Sequence, residues 1–373
     1  MSDNRRRYYA IHEALRKLTP HVKGHQACHL VSLAALICGI VGSKSSKLPD
    51  IANKTPGRAK RQSRITTWGR WLKNKKVTIT DFYLPYVTDL LHSLPEGPLV
   101  LVIDGSAVGR HCMALVISVL HQGRALPLCW KVVDAKKGHL PQDLHCHLVQ
   151  QAQALPGSER EIVFLGDGEF DGTQLLSTLQ EAGWQYVCRT AKNTCLYEDG
   201  VEFSFATLYL RPGDFVEVEQ ISFTRARYEV VRVVAVWESD YADPLYLVTN
   251  LELGQEALAY YKQRYTIETF FSDQKSRGFH LQDSHLSDPE SLSRLMIASC
   301  LAYLWLVCLG VRVKQRGWLS EIHRRTRCDL SLFQIGLIWL DHCLNEELAL
   351  WVAFRLPPNR RSRPEFGTVP SGQ

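Results

Sequence analysis

Two hydrophobic rhythms divide the chain. Residues 1–43 follow a helical period and read as two helices, the second apolar enough to be buried. A punctuated basic stretch follows. From residue 98 the rhythm changes to that of strands: "PLVLVIDGSAVG", then "MALVISVLHQGRALPLCWKVVD", two strands joined by a His-Gln-Gly-Arg turn. The helix "PQDLHCHLVQQAQAL" leads to the buried strand "REIVFLGDGEFDG", the helix "TQLLSTLQEAG" and the strand "WQYVCRT". Three successive strands followed by alternating helix and strand predict an α/β fold, a mixed sheet with flanking helices. Residues 195–250 alternate as further strands, an antiparallel insertion. The segment "GQEALAYYKQRYTIETFFSDQK" has no Gly or Pro after its first residue and predicts one continuous helix. Residues 287–315 form a strongly apolar helix, 319–355 two more, and the "PPNRRSRPEFGTVPSGQ" tail is expected to be disordered.

Charge sharpens this layout. The net charge of +6 conceals 17 Lys/Arg against three acids in residues 1–80, or +14, leaving −8 on the remainder. A basic front on a mildly acidic body points to a polyanionic partner. Eleven Lys/Arg lie between Lys44 and Lys76, interleaved with Trp68, Trp71 and several Ser/Thr. That mixture is what phosphate-backbone contact uses, and "SRITTWGRWLKNK" is a candidate recognition helix capped by Ser63, with Arg64, Arg70 and Lys73 toward DNA. Eleven cysteines without a C-x-x-C pair read as buried reduced thiols of a cytosolic or nuclear protein, and the expected location is cytoplasmic. The N-terminus has no secretory h-region, and Leu295–Val311, 17 residues without a charge, reads as a core helix rather than a membrane span.

Candidate chemistry rests on two acids and a stripe. Asp104 and Asp167 each end an apolar run and precede Gly, in "IDG" and "GDG". Such a pair is either two turn formers or, on adjacent strands and joined by a Glu, an all-oxygen site for divalent ions. In the helix of residues 254–275, Tyr261, Arg264, Glu268 and Lys275 fall within roughly 60° of one another. A solvated face has the same composition. "DLHCH" (Asp143, His145, Cys146, His147) looks like a metal cluster, but His145 and His147 diverge on a helix, so it reads as a mixture of surface and core. Lys136, Lys137 and His139 in "AKKGH" are weak phosphate candidates.

Together, Asp104, Asp167 and Glu268 resemble the DDE triad of RNase H-like transposases. Tyr261-x2-Arg264-x3-Glu268-x6-Lys275 is similar to the Tyr-Arg-Glu-Lys signature of one branch, the "IS-four" insertion-sequence family. The resemblance implies a basic helical DNA-binding domain (1–95), an RNase H-like catalytic domain (96–194 and 253–285) interrupted by a β-rich insertion (195–252), a C-terminal helical region (286–358) and a tail (359–373). It implies two Mg²⁺ ions, replaceable by Mn²⁺, held by Asp104, Asp167 and Glu268. The expected reaction is cleavage at the ends of a mobile element, through a hairpin, and transfer of the 3′-OH into target DNA. Tyr261, Arg264 and Lys275 would then clamp phosphates, with Arg189 and Lys192 nearby. Trp237 is either a base-stacking platform or an ordinary residue of the insertion. Many relatives place Arg after the second Asp, where this chain has Gly168. A homodimer built on the helices from residue 287 is expected to pair the ends, in a bacterial, nucleoid-associated protein. The alternatives are a nuclease without strand transfer and a silent DNA-binding repressor, the latter disfavoured by the intact acids.

Overall fold

The computed structural model describes residues 1–135, 140–157, 159–324 and 327–358. The "AKKGH" candidates and the tail lie outside the described residues. The basic front folds as helices α1 (Asp3–Leu18), α2 (His25–Ser43), α3 (Leu48–Lys54), α4 (Arg61–Lys73), α5 (Ile79–Phe82) and α6 (Leu84–Ser93). In α1 the apolar residues Ile11 and Leu15 are buried, a spacing of four that keeps them on one face, against α2.

Next come the strands. β1 (Leu99–Gly109), β2 (Cys112–His121) and β3 (Arg124–Asp134) form an antiparallel meander, followed by α7 (Gln142–Gln153), β4 (Ile162–Gly166), α8 (Thr173–Glu181) and β5 (Gln185–Arg189). β4 pairs parallel to both β1 and β5. Near-continuous apolar runs such as "IVFLG" suit strands covered on both faces. The region 195–250 supplies β6 (Cys195–Glu198), β7 (Val201–Ser204), β8 (Phe215–Phe223), β9 (Tyr228–Val236) and β10 (Leu245–Thr249). These strands extend the same sheet instead of forming a separate one, because β10 pairs antiparallel with β5. The result is one ten-stranded sheet in the order β3-β2-β1-β4-β5-β10-β9-β8-β6-β7. Its first five strands, in the order 3-2-1-4-5, are the RNase H-like core.

The expected single helix after β10 is two. α9 (Gly254–Tyr261) and α10 (Thr266–Gln274) are separated by a tight turn at 262–265. The amides of Gln263, Arg264 and Thr266 each donate to the carbonyl three residues back, at 2.9–3.0 Å, so the chain winds more tightly than an α-helix. Tertiary packing overrides local propensity here: Ile267, Phe270 and Phe271 are buried as α10 lies over β1, β2 and β3.

α11 (Pro289–Arg316) is the spine of the fold, followed by α12 (Leu319–Ile322) and α13 (Leu332–Asn345). By length and composition both α2 and α11 could cross a bilayer, but 94% of the relevant α11 window is buried inside the protein. α11 packs on α13, α2, α4, α10 and β3. Where it crosses α13 the backbones nearly touch: a Cβ on Gly310 would fall 2.0 Å from the Leu332 carbonyl, and one on Gly336 2.0 Å from that of Leu306. Of the helices from residue 287 expected to carry a dimer surface, α11 has its apolar face buried within the protomer.

Candidate active site

The site forms where the β1–β4 ladder ends. The last registered pair is Val102↔Leu165, and Asp104 and Asp167 each lie two residues further on. Asp104 is therefore not at a strand terminus, since β1 runs on to Gly109 beside β2; it sits where β4 stops. On the far side of β4, Gly166 pairs with Cys188, so Asp167 is next in line with Arg189. Asp104, Asp167 and Arg189 thus form a row across β1, β4 and β5.

Backbone amides fix both aspartates. Asp104 Oδ1 accepts from Gly105 N at 2.7 Å, and Asp167 Oδ1 accepts from Glu169 N at 3.0 Å. Their Oδ2 atoms face a common cation: Arg264 Nη1 is 3.7 Å from Asp104 Oδ2 and 3.8 Å from Asp167 Oδ2. The same guanidinium, through Nη2, binds Glu268 Oε1 at 3.0 Å. Burial pushes the Asp104 carboxyl up to about 6, helped by the Asp167 charge and opposed by the Gly105 amide and Arg264.

Among the described residues no three His, Cys, Asp or Glu side chains form a ready metal cluster, and at this centre the Arg264 guanidinium stands between the carboxylates. The donor set nonetheless fits a hard divalent ion. It offers oxygen ligands alone, two of them oriented by amides, converging on a point where a cation already sits. Glu268, 63% exposed in the first turn of α10, would complete the set.

The turn between α9 and α10 delivers the remaining groups. Burial raises the Tyr261 phenol to about 12; Arg264 and Arg189 pull it down while Asp167 pushes it up, which puts all four in one electrostatic neighbourhood. Lys275, at the C-terminal cap of α10, donates to Ser106 Oγ and lies over the Phe271 ring. Ser106 was missed in the sequence. Its signal was available: two residues beyond Asp104 on a strand is the same face. Lys262 pairs with Glu238, tying the turn to the segment after β9 that carries Trp237. Trp237 is half-buried, and its indole donates to the Tyr241 carbonyl at 3.0 Å. Lys192 is exposed in the turn after β5.

The basic front separates into structural and available groups. Arg64 donates to the carbonyls of Ala52, Thr55 and Gly57, so it staples the α3–α4 loop where we expected a phosphate contact. Trp68 and Trp71 are core residues rather than DNA-facing aromatics, each 3% exposed. Ser63 lies inside α4, whose N-cap is Lys60. The outer face of α4, with Arg61, Gln62, Ser63, Thr66, Thr67, Arg70 and Lys73, is exposed. His145 is buried beside Phe170, with Nε2 3.5 Å from Glu169 Oε1, while His147 is exposed, which agrees with the expected mixture of surface and core.

A 3-2-1-4-5 sheet with two aspartates side by side and a glutamate on a following helix defines an RNase H-like protein of the DDE class. Residues 95–305, more than half of the chain, match the transposase DDE domain family, and the chain belongs to that family. It is thereby a DNA transposition protein of a class that generally depends on divalent metal. Among curated proteins none matches it in sequence. The chain is similar to a piggyBac transposase in a synaptic complex with hairpin DNA, at 10% identity and a TM-score of 0.47, over 91% of this chain and 78% of that one. It is also similar to human ENDOV, at 16% identity and a TM-score of 0.26, over 63% of this chain and 96% of that one. Likenesses this distant say nothing of activity, and the functional assignment rests on the family match.

Proposed function

We propose that the protein cuts DNA at the ends of a mobile element and joins the freed 3′-OH to target DNA, as a member of the Tyr-Arg-Glu-Lys branch. The observation that carries this reading is the convergence of the Asp104 and Asp167 Oδ2 atoms on one cation at the end of the β1–β4 ladder. Asp104, Asp167 and Glu268 would hold the two Mg²⁺ ions. When bound, such a pair supplies activation of the attacking oxygen and charge stabilisation at the leaving one.

The chain's own groups do the positioning. Arg264 can fork a phosphate bidentately, and Lys275 presents a point charge beside Ser106 along β1. Arg189, in line with the aspartates, meets the next phosphate, with Lys192 further out. Tyr261 keeps its hydroxyl protonated at neutral pH and so donates to a phosphate oxygen. Trp237, held beside the α9–α10 turn by Glu238 and Lys262, is positioned as a stacking surface for a terminal base displaced during a hairpin step. The exposed face of α4, with Arg70 and Lys73, grips the flanking duplex. A homodimer on two paired ends would use surfaces other than α11.

The test uses the full chain on duplexes carrying the DNA that flanks its gene. Mg²⁺ or Mn²⁺ should support cleavage and end joining, and Ca²⁺ should support binding without turnover. Cleavage without joining would favour a nuclease. Binding without either would favour a repressor.

A further inference from the structure

We propose that Arg264 is a built-in counter-cation of the acidic centre, which a divalent metal must displace and which DNA phosphate draws away. The inference rests on Asp104, Asp167 and Glu268 being metal ligands. One guanidinium spans all three carboxylates, with Nη1 toward Asp104 and Asp167 and Nη2 toward Glu268. The geometry of the two kinds of contact differs. The Glu268 contact has hydrogen-bond length, whereas 3.7 and 3.8 Å to the aspartates are ion-pair separations without a directional bond. Charge alone holds Arg264 against the aspartates, so another cation can replace it.

The backbone around Arg264 stays in place while its side chain changes partner. The turn is bounded by α9 and α10 and tied down by Lys262–Glu238. The side chain is 16% exposed at the mouth of the site, where an incoming phosphate would meet it. A divalent ion bound by the two Oδ2 atoms would lie within a few ångströms of this guanidinium, and like charges at that distance repel strongly in a partly buried site. Arg264 therefore weakens metal binding until a phosphate offers it an alternative partner. By linkage, DNA must then tighten metal binding and metal must tighten DNA binding by the same factor. The turn becomes a device that favours loading of the metals when substrate is present.

The experiment is a Mn²⁺ titration of the full chain by electron paramagnetic resonance or calorimetry, with and without duplex DNA. Wild type, Arg264→Gln, Arg264→Lys and Asp104→Asn are compared. Arg264→Gln should bind Mn²⁺ about tenfold more tightly than wild type without DNA, and DNA should no longer tighten it. Arg264→Lys, which keeps the charge but loses the fork, should fall between the two; should the Gln variant not fold, this intermediate shift carries the test. Unchanged or weaker Mn²⁺ affinity in the folded Arg264 variants would overturn the proposal. Asp104→Asn separates the two layers: if it binds Mn²⁺ like wild type, the metal reading itself fails.

Discussion

The two halves of the acidic centre are built differently. Asp104 sits in β1 and Asp167 directly after β4, each with one oxygen pinned by an amide, and their side chains are 19% and 36% exposed. Glu268 and Arg264 ride on a tight turn and the first turn of a nine-residue helix, and Glu268 is 63% exposed. One half is oriented before any ligand arrives, and the other can rearrange. Under the proposed function the site would admit metal, DNA and then a second DNA, and such a division suits that sequence, because the rigid part sets the geometry while the adaptable part changes partners.

The largest effects should come from the rigid half. Asp104→Asn or Asp167→Asn should reduce strand cleavage below detection while leaving DNA binding near wild type, read by gel shift and nicking on the same duplex. Retained nicking in either variant would break the comparison. Glu268→Gln should also lose cleavage, yet lose less Mn²⁺ affinity than either aspartate variant.

Next come the phosphate contacts. Arg264→Ala and Lys275→Ala should each slow cleavage roughly 10- to 150-fold, the loss of one charge-assisted contact of about 1.5–3 kcal/mol. Tyr261→Phe should cost less, since the ring remains. Wild-type rates in both charge variants would return these residues to an ordinary solvated surface.

A stability measurement sharpens the rigid half further. Asp104 and Asp273 both have carboxyls raised to about 6, by burial first, so folding favours their protonated forms. Their contribution is fully favourable below the ordinary carboxylate range near 4 and is lost as pH rises through 6. Asp104→Asn should therefore raise the thermal midpoint at pH 7 and flatten its dependence between pH 4 and 7. A lower midpoint at pH 7 would argue against a desolvated charge there.

The smallest effects belong to the α4 face. Arg70→Ala and Lys73→Ala should weaken binding evenly across sequences and reduce the salt slope by about one each. Arg64→Ala should instead lower stability, because its donors hold the α3–α4 loop. An unchanged salt slope in both surface variants would move the DNA path elsewhere.

The aspartates were legible because each follows an apolar run and precedes Gly, although only Asp167 lies where the backbone leaves its strand, β1 continuing past Asp104 to Gly109. Their neighbourhood was not, since strand order is a tertiary property. The break between Tyr261 and Thr266 was invisible for a related reason: no Gly or Pro announces it, and only the packing of Ile267, Phe270 and Phe271 on the sheet demands it. Trp68 and Trp71 misled because aromatics among basic residues serve a core as readily as a DNA backbone. The joining of β10 to β5 could not be read either, because alternation identifies a strand without naming its partner.

The position of α11 has a consequence for synthesis. The apolar residues of α2 pack in part against a helix, α11, that the ribosome reaches only after all ten strands. At about 5–20 residues per second, α2 waits roughly 10–60 s for its partner. Arg6 waits longer still, since its guanidinium ends on the carbonyls of Leu344 and Leu348. During that interval α2 is covered by its near neighbours α1 and α3 and still lacks its contact with α11. Chains that end before residue 289 would lack α11 and leave bare the face of α2 that it covers.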